Sequence, residues 1–122
     1  MSEKELFSLG ETYLFRDLDQ GNIDFVKNKA VTKKLNRKEY ISCSEDMDVI
    51  FIVKKGKVKI SYLSEDGREM TIMVLDPGDI YSRHSEALVR AVTKTEIWQF
   101  TGQDFIEIIN RDPLIARRLI RI

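Results

Sequence analysis

Residues 49–62 read VIFIVKKGKVKISY and contain two different strand patterns in succession. Val49 to Val53 is an unbroken run of β-branched and aromatic residues, which is typical of a strand buried on both faces. A turn at residues 54–57 follows, and then Val58, Ile60 and Tyr62 alternate with polar residues. That alternation predicts a strand with one face in the core and one in water. The segment therefore indicates a hairpin in a mainly β fold.

More strands follow at short spacing. The Asp66-Gly67 pair is a strong hairpin signal, and it leads into a predicted strand at residues 69–75. After a Pro-Gly turn, we expect two further strands at residues 87–92 and 95–100. Short strands separated by turns predict an antiparallel barrel or a jelly-roll-like sandwich.

Helical patterns flank the strands. Residues 4–28 place apolar residues at roughly helical spacing, which predicts short helices and turns. A second helical pattern opens near Thr101, and a third opens at Pro113 with Asp112 as its cap. We therefore divide the chain into an N-terminal helical segment (1–28), a β domain (29–101) and C-terminal helices (102–122).

Composition restricts the class of protein. The 122 residues fit one domain, and 20 basic residues balance 20 acidic ones, so we do not expect this segment alone to bind nucleic acid. The single cysteine, Cys43, excludes an internal disulfide and fits a reducing cytoplasm. We find no signal peptide and no apolar run near the ~20 residues of a membrane span, so we expect a cytoplasmic protein without membrane contact.

Three segments resemble the sensor domain of the Crp/Fnr regulators. Residues 51–59, FIVKKGKVK, resemble the hairpin of the cyclic nucleotide-binding β-roll, and residues 75–80, LDPGDI, resemble its Gly-Asp turn. Residues 105–119 resemble the short helix that leads into the long dimerisation helix of these regulators. The resemblance, which begins near Phe15, implies a double-stranded β-helix (a jelly-roll-like β-roll) followed by the start of a dimerisation helix.

The same resemblance implies a transcriptional regulator. It would act as a homodimer through residues 113–122, whose apolar positions predict a two-stranded seam. DNA contact would belong to a C-terminal domain that is absent from these residues. The apolar pattern stops unfinished at Ile122, so the chain is interpreted either as part of a longer regulator or as a natural short protein.

The ligand segment departs from the cyclic-nucleotide pattern. Nucleotide-binding members follow the Gly-Asp turn with a Gly-Glu pair, a short phosphate-cradling helix and an Arg-Ser or Arg-Thr pair. Here residues 80–87 stand in that place and contain no glycine that would present backbone N–H groups to a phosphate. Neither Arg83 nor Arg90 ends such a cassette. We therefore do not expect binding of cAMP or cGMP.

Residues 78–91 are instead similar to the haem-containing CO sensors of the CooA type. In that family a Cys-x-His motif follows the Gly-Asp turn, and His84 matches the histidine that ligates ferrous haem iron. Ser82 stands where the family has its cysteine. The family's second axial ligand is an N-terminal amine of the partner subunit, for which the Ser2 amine would be available after removal of Met1. The resemblance thus implies haem b, with CO or another diatomic gas as the effector.

The residues alone also allow other functional hypotheses. His84 could be an ordinary polar-loop residue, and the protein could bind another small molecule, or none, and serve as a dimerisation module. We do not expect an enzyme, since one histidine cannot build a cupin-type metal site and no nucleophile motif surrounds any serine. Cys43 is interpreted as an unremarkable thiol, with a haem or redox role as its alternative.

Core packing is expected for four side chains, Met47, Met70, Met73 and Trp98. A solvated face is expected for four others, Lys54, Lys55, Lys57 and Lys59.

Overall fold

The computed structural model describes residues 12–41, 49–83 and 87–120, without the side chains of Arg83 and Ile120. After a turn at residues 12–17, the described elements follow in chain order. They are α1 (Gln20–Lys29), β1 (Val31–Leu35), β2 (Val49–Lys55), β3 (Val58–Leu63), β4 (Glu69–Leu75), β5 (Ile80–Arg83), β6 (Leu88–Ala91), β7 (Thr95–Thr101), α2 (Gly102–Arg111) and α3 (Pro113–Ile120). No described helix has the length and apolar character needed to cross a membrane.

The seven described strands form two antiparallel sheets. One sheet has the order β1-β7-β2-β5, and the other has the order β4-β3-β6. Their facing sides enclose the inner core, to which Phe51 and Val53 contribute from one sheet and Val58 and Ile60 from the other. The predicted β-roll with flanking helices is therefore confirmed.

A second, outer core lies between the four-stranded sheet and the helices. Because side chains alternate along a strand, β2 gives Ile52 to this core while Phe51 enters the inner one. Phe100 of β7 contacts Phe105 of α2 with ring centroids 5.8 Å apart. Ile115 of α3 is 1% exposed and completes this layer. Both faces of β2 are thus covered, as its unbroken apolar run predicted.

Several local predictions are confirmed at their predicted residues. Strand β4 begins and ends where the sequence placed it. The Thr101 hydroxyl accepts a hydrogen bond from the Asp104 N–H at 3.0 Å and caps α2. The Asp112 carboxylate accepts from the Leu114 N–H at 3.0 Å at the start of α3. Trp98 is 6% exposed and belongs to the outer core, as expected.

The prediction of core packing was wrong for the two of these methionines that the structure describes. Met70 is 59% exposed and Met73 is 44% exposed. Both lie on β4, which is an edge strand of the three-stranded sheet and has a neighbour on one side only. Met47 lies outside the described residues.

The polar face of β3 also differs from its prediction. Ser61 was expected in water, yet it is fully buried, and its hydroxyl is satisfied by donating a hydrogen bond to the Glu69 carboxylate. Lys54 and Lys59 are half-buried in ion pairs, while Lys55 and Lys57 are exposed as expected. The turn is shorter than predicted, because β2 continues through Lys55.

Candidate functional site

An apolar cavity lies between the β-roll and the C-terminal helices. Its volume is about 240 Å³. Its walls are formed by β2, β5, α2 and α3 through Ile50, Ile80, Tyr81, Ser82, Phe105 and Leu119. Hydroxyl groups are the only side-chain polar groups in this set. The cavity is therefore suited to an apolar ligand rather than to a phosphate.

The local sequence explains why these walls meet. Residues Ile80 and Ser82 alternate with Tyr81 along β5, and the Tyr81 ring packs into the inner core 6.0 Å from the Phe51 ring. Ile80 packs with the outer core. β7 passes directly into α2 at Thr101, which places Phe105 over the outer face of the sheet.

The structure describes one of the three predicted site residues. Ser82 lies on β5 opposite Ile50 of β2, and its side chain is exposed at the cavity. His84, two positions after Ser82, and Ser2 lie outside the described residues, as does Cys43. Among the described residues, no group of three or more His, Cys, Asp or Glu side chains could hold a metal ion.

Sequence reasoning missed most of the cavity wall. Phe105 and Leu119 were recognised as apolar helix positions, and Leu119 was assigned to the predicted dimer seam. Ile115 was assigned to the same seam, but it is buried within its own domain and is therefore not available to a partner. The available signal was the helical spacing of Ile115 and Leu119, which places both on one face of α3.

The outer face of the three-stranded sheet carries a separate polar cluster. The Lys59 ammonium lies 2.9 Å from the Glu69 carboxylate, which also accepts the Ser61 hydroxyl at 3.1 Å. The hydrogen bonds from Lys59 and Ser61 hold the pKa of the Glu69 carboxyl below its ordinary value of 4.5. These groups satisfy one another, so we assign the cluster to the stability of the β3–β4 pair.

Comparison with known proteins agrees with this architecture. A family model for the cyclic nucleotide-binding domain matches residues 32–112. The cyclic AMP receptor protein of Thermus thermophilus is 30% identical over 77 residues, which is 57% of this chain and 36% of that protein. The chain thus spans about a third of this relative's length.

Two solved structures are similar in fold. A mutant of CooA from Carboxydothermus hydrogenoformans has a TM-score of 0.78 at 23% identity, with 94% of this chain and 78% of that chain covered. The haem domain of CooA from the same organism has a TM-score of 0.67 at 24% identity, over 79% of this chain and 71% of that one. Since the family model covers most of the chain, including all seven described strands but for one residue of β1, this protein is a member of the cyclic nucleotide-binding domain family of the Crp/Fnr type.

Proposed function

We propose that this chain is the effector-sensing domain of a Crp/Fnr-type transcriptional regulator, and that it binds haem and responds to CO or another diatomic gas. The observation that carries the proposal is the apolar cavity at Ser82, two residues before the only histidine of the chain. In this proposal His84 is the iron ligand.

The spacing of the two residues supports that assignment. Residues two apart on a strand share one face, and Ser82 shares the cavity face of β5 with Ile80. His84 continues the same series in the sequence. Imidazole is the usual protein ligand of haem iron. We therefore expect the His84 imidazole to serve a ligand bound at this cavity.

The chemistry of the cavity fits a haem, while its volume fits only part of one. Ile50, Ile80, Phe105 and Leu119 provide the apolar contacts that a macrocycle requires. A volume of about 240 Å³ is below the ~300–1,000 Å³ of pockets that enclose drug-sized ligands, so a haem would extend beyond these walls. When bound, ferrous haem supplies an open or exchangeable coordination position for a diatomic gas.

The position of α3 supports a route from ligand to response. Leu119 forms part of the cavity wall and lies on the last described helix. A change in the cavity would therefore act on α3 directly, and α3 is the helix that we expect to join a second subunit. In this proposal the domain is a cytoplasmic, non-enzymatic homodimer module, and sequence-specific DNA contact belongs to a further domain.

Ser82 affects which groups could ligate oxidised iron. Because Ser82 replaces the cysteine of the CooA-type sensors, no thiolate is available at that position for oxidised iron. We propose that His84 would hold the iron in both oxidation states, or that another group would replace it in the oxidised state, and that the Ser2 amine of a partner subunit would be a further ligand.

Absorbance spectroscopy of the haem-reconstituted chain tests the proposal. We expect a Soret band that shifts on reduction and again on addition of CO. His84→Ala should change the reduced spectrum, and added imidazole should restore it. Ser82→Trp would fill the cavity from an exposed strand position and should weaken haem binding while leaving His84 intact. The absence of a Soret band, or an unchanged spectrum in His84→Ala, would reject haem ligation by His84.

A second candidate is a domain that binds another small molecule or none. The similarity to a cyclic AMP receptor protein makes cAMP the molecule to test first, although residues 80–87 lack the glycines that would present N–H groups to its phosphate. Thermal unfolding with and without cAMP tests this one ligand, because a ligand that binds only the folded state raises Tm. A cAMP-dependent rise without haem binding would support this second candidate.

A further inference from the structure

Three segments that are distant in sequence lie together at one end of the β-roll. The segments are residues 31–41, 54–57 and 90–96, and together we name them the basic end. The Lys38 N–H donates to the Ala91 carbonyl at 2.8 Å, and the Val92 N–H donates to the Lys57 carbonyl at 2.9 Å. These backbone hydrogen bonds fix the segments relative to one another.

Charge is strongly concentrated in the basic end. It contains nine of the chain's 20 basic residues but only two of its 20 acidic residues, Glu39 and Glu96. The remainder of the chain carries the matching excess of negative charge. The neutral total therefore averages over two regions of opposite sign, so a net charge of zero does not disfavour an anionic partner at this surface.

Most of these cations have no acidic partner. Lys54 lies 3.6 Å from Glu96, and Lys57 lies 3.2 Å from Asp76. Arg90 stacks on the Tyr40 ring and donates to the Lys38 carbonyl. Six others are exposed and form no ion pair within the described part of the chain: Lys33, Lys34, Arg37, Lys38, Lys55 and Lys94.

Three of the six line one shallow depression. Lys34 comes from β1, Lys55 from the end of β2, and Lys94 from the turn between β6 and β7. Glu96 is the one acidic residue in its wall, and it is already paired with Lys54. Three exposed lysines from neighbouring, hydrogen-bonded segments thus line the same part of the surface.

We propose that the basic end binds the phosphate backbone of duplex DNA without reading its sequence. The choice of DNA rests on the proposed regulator function, which would hold this domain near a duplex. Protein interfaces are depleted of lysine and are centred on aromatic and apolar side chains. The basic end is rich in lysine, and phosphate contacts by lysine need no apolar centre. A duplex therefore fits this surface better than an acidic protein does.

The proposal predicts a steep dependence on salt. Each phosphate that is neutralised contributes about −0.9 to the slope of log K against log salt concentration. If about three to five of the cations engage phosphates, affinity should fall roughly 40- to 500-fold between about 50 and about 200 mM salt.

Fluorescence anisotropy with a labelled, mixed-sequence duplex tests this on the 122-residue chain itself. Lys55→Glu/Lys94→Glu should weaken binding at low salt by at least about tenfold and flatten the salt slope. Lys27→Glu/Arg68→Glu is the matched control, since it makes the same change in net charge at exposed positions on α1 and at the β3–β4 turn. At about 0.1 M salt the control should change affinity by less than about twofold, because the Debye length is then about 10 Å and charges remote from the basic end are largely screened.

Equal loss in the two double variants, or no binding by the unmodified chain at low salt, would overturn the proposal. A labelled polyglutamate probe that binds as tightly as the duplex would also overturn it, in favour of an acidic protein partner. The outcome is independent of haem, because apo-protein is used, so failure here and failure of the haem spectrum are distinguishable.

Discussion

At the scale of single residues, Gly56 shows how closely the turns of the roll approach one another. Its φ is +94°, and a Cβ atom there would lie 2.5 Å from the Lys94 carbonyl oxygen and 2.6 Å from the Thr95 hydroxyl. Gly56→Ala therefore combines a left-handed backbone with a collision, and we expect it to lower the free energy of unfolding by about 2–4 kcal/mol. Urea denaturation monitored by Trp98 fluorescence measures this.

Gly67 is the matched control for that prediction. Its φ is +86°, but a Cβ there would meet no atom within 4 Å. Gly67→Ala should lower the free energy of unfolding by only about 1 kcal/mol, which is the cost of the backbone conformation alone. Equal losses in the two variants would show that the contact with residues 94 and 95 does not constrain Gly56.

The Glu69 carboxyl provides a prediction about pH. Its folded-state pKa lies below 4.5 because Lys59, and then Ser61, donate hydrogen bonds to the ionised form. A lowered folded-state pKa stabilises the protein above the unfolded-state pKa, and this contribution is lost as pH falls through the folded-state value. NMR titration should show the Glu69 pKa rising toward 4.5 in Lys59→Met. An unchanged Glu69 pKa in that variant would contradict the assigned cause.

At the scale of elements, Arg118 joins α3 to the N-terminal turn. Its guanidinium donates to the carbonyls of Tyr13 at 3.0 Å and of Arg16, and it lies 3.7 Å from the Asp17 carboxylate. The Arg118 side chain is 13% exposed. Arg118→Met would leave these acceptors without their donor, so we expect a loss of about 1–3 kcal/mol in the free energy of unfolding.

Arg117, the preceding residue on α3, is the control for Arg118. It is exposed, and Arg117→Met should change the free energy of unfolding by less than about 0.5 kcal/mol. Hydrogen exchange distinguishes local from global effects. We expect Arg118→Met to increase exchange at residues 12–17 more than in β2. Uniform exchange increases would show that the contact stabilises the whole domain rather than this turn.

The helices and strands also differ in whether local sequence patterns were sufficient to predict them. β2 was predictable because burial on both faces requires an unbroken apolar run, which is Val49–Val53. α2 was predictable because Thr101 is a typical N-cap residue. β1 and β5 were not predicted as strands. β1 reads VTKKL and has four exposed residues, while β5 has only four residues and lies at a sheet edge. Both are strands because β7 and β2 provide pairing partners, which is information that local periodicity does not contain.

At the scale of the whole molecule, the candidate site could be predicted only in part. Ser82, which lines the cavity, was identifiable from a resemblance in a short segment, while the prediction for His84 falls outside the described residues. The cavity itself is made by Ile50, Phe105 and Leu119, which come from separate elements and meet only because β5 and α3 pack on the same side of the roll. Sequence could mark these residues as apolar, but their shared wall is a property of the packing.

The concentration of charge has a consequence for stability that is independent of any partner. Folding brings the cations of the basic end together, so their mutual repulsion opposes folding at low salt. Lys55→Gln/Lys94→Gln should therefore raise the free energy of unfolding by about 0.5–1 kcal/mol at low salt, and Lys27→Gln/Arg68→Gln should not. Near 1 M salt, where the Debye length is about 3 Å, the gain should vanish. Urea denaturation at the two salt concentrations measures it, and a gain that persists at high salt would show that packing, rather than repulsion, is its cause.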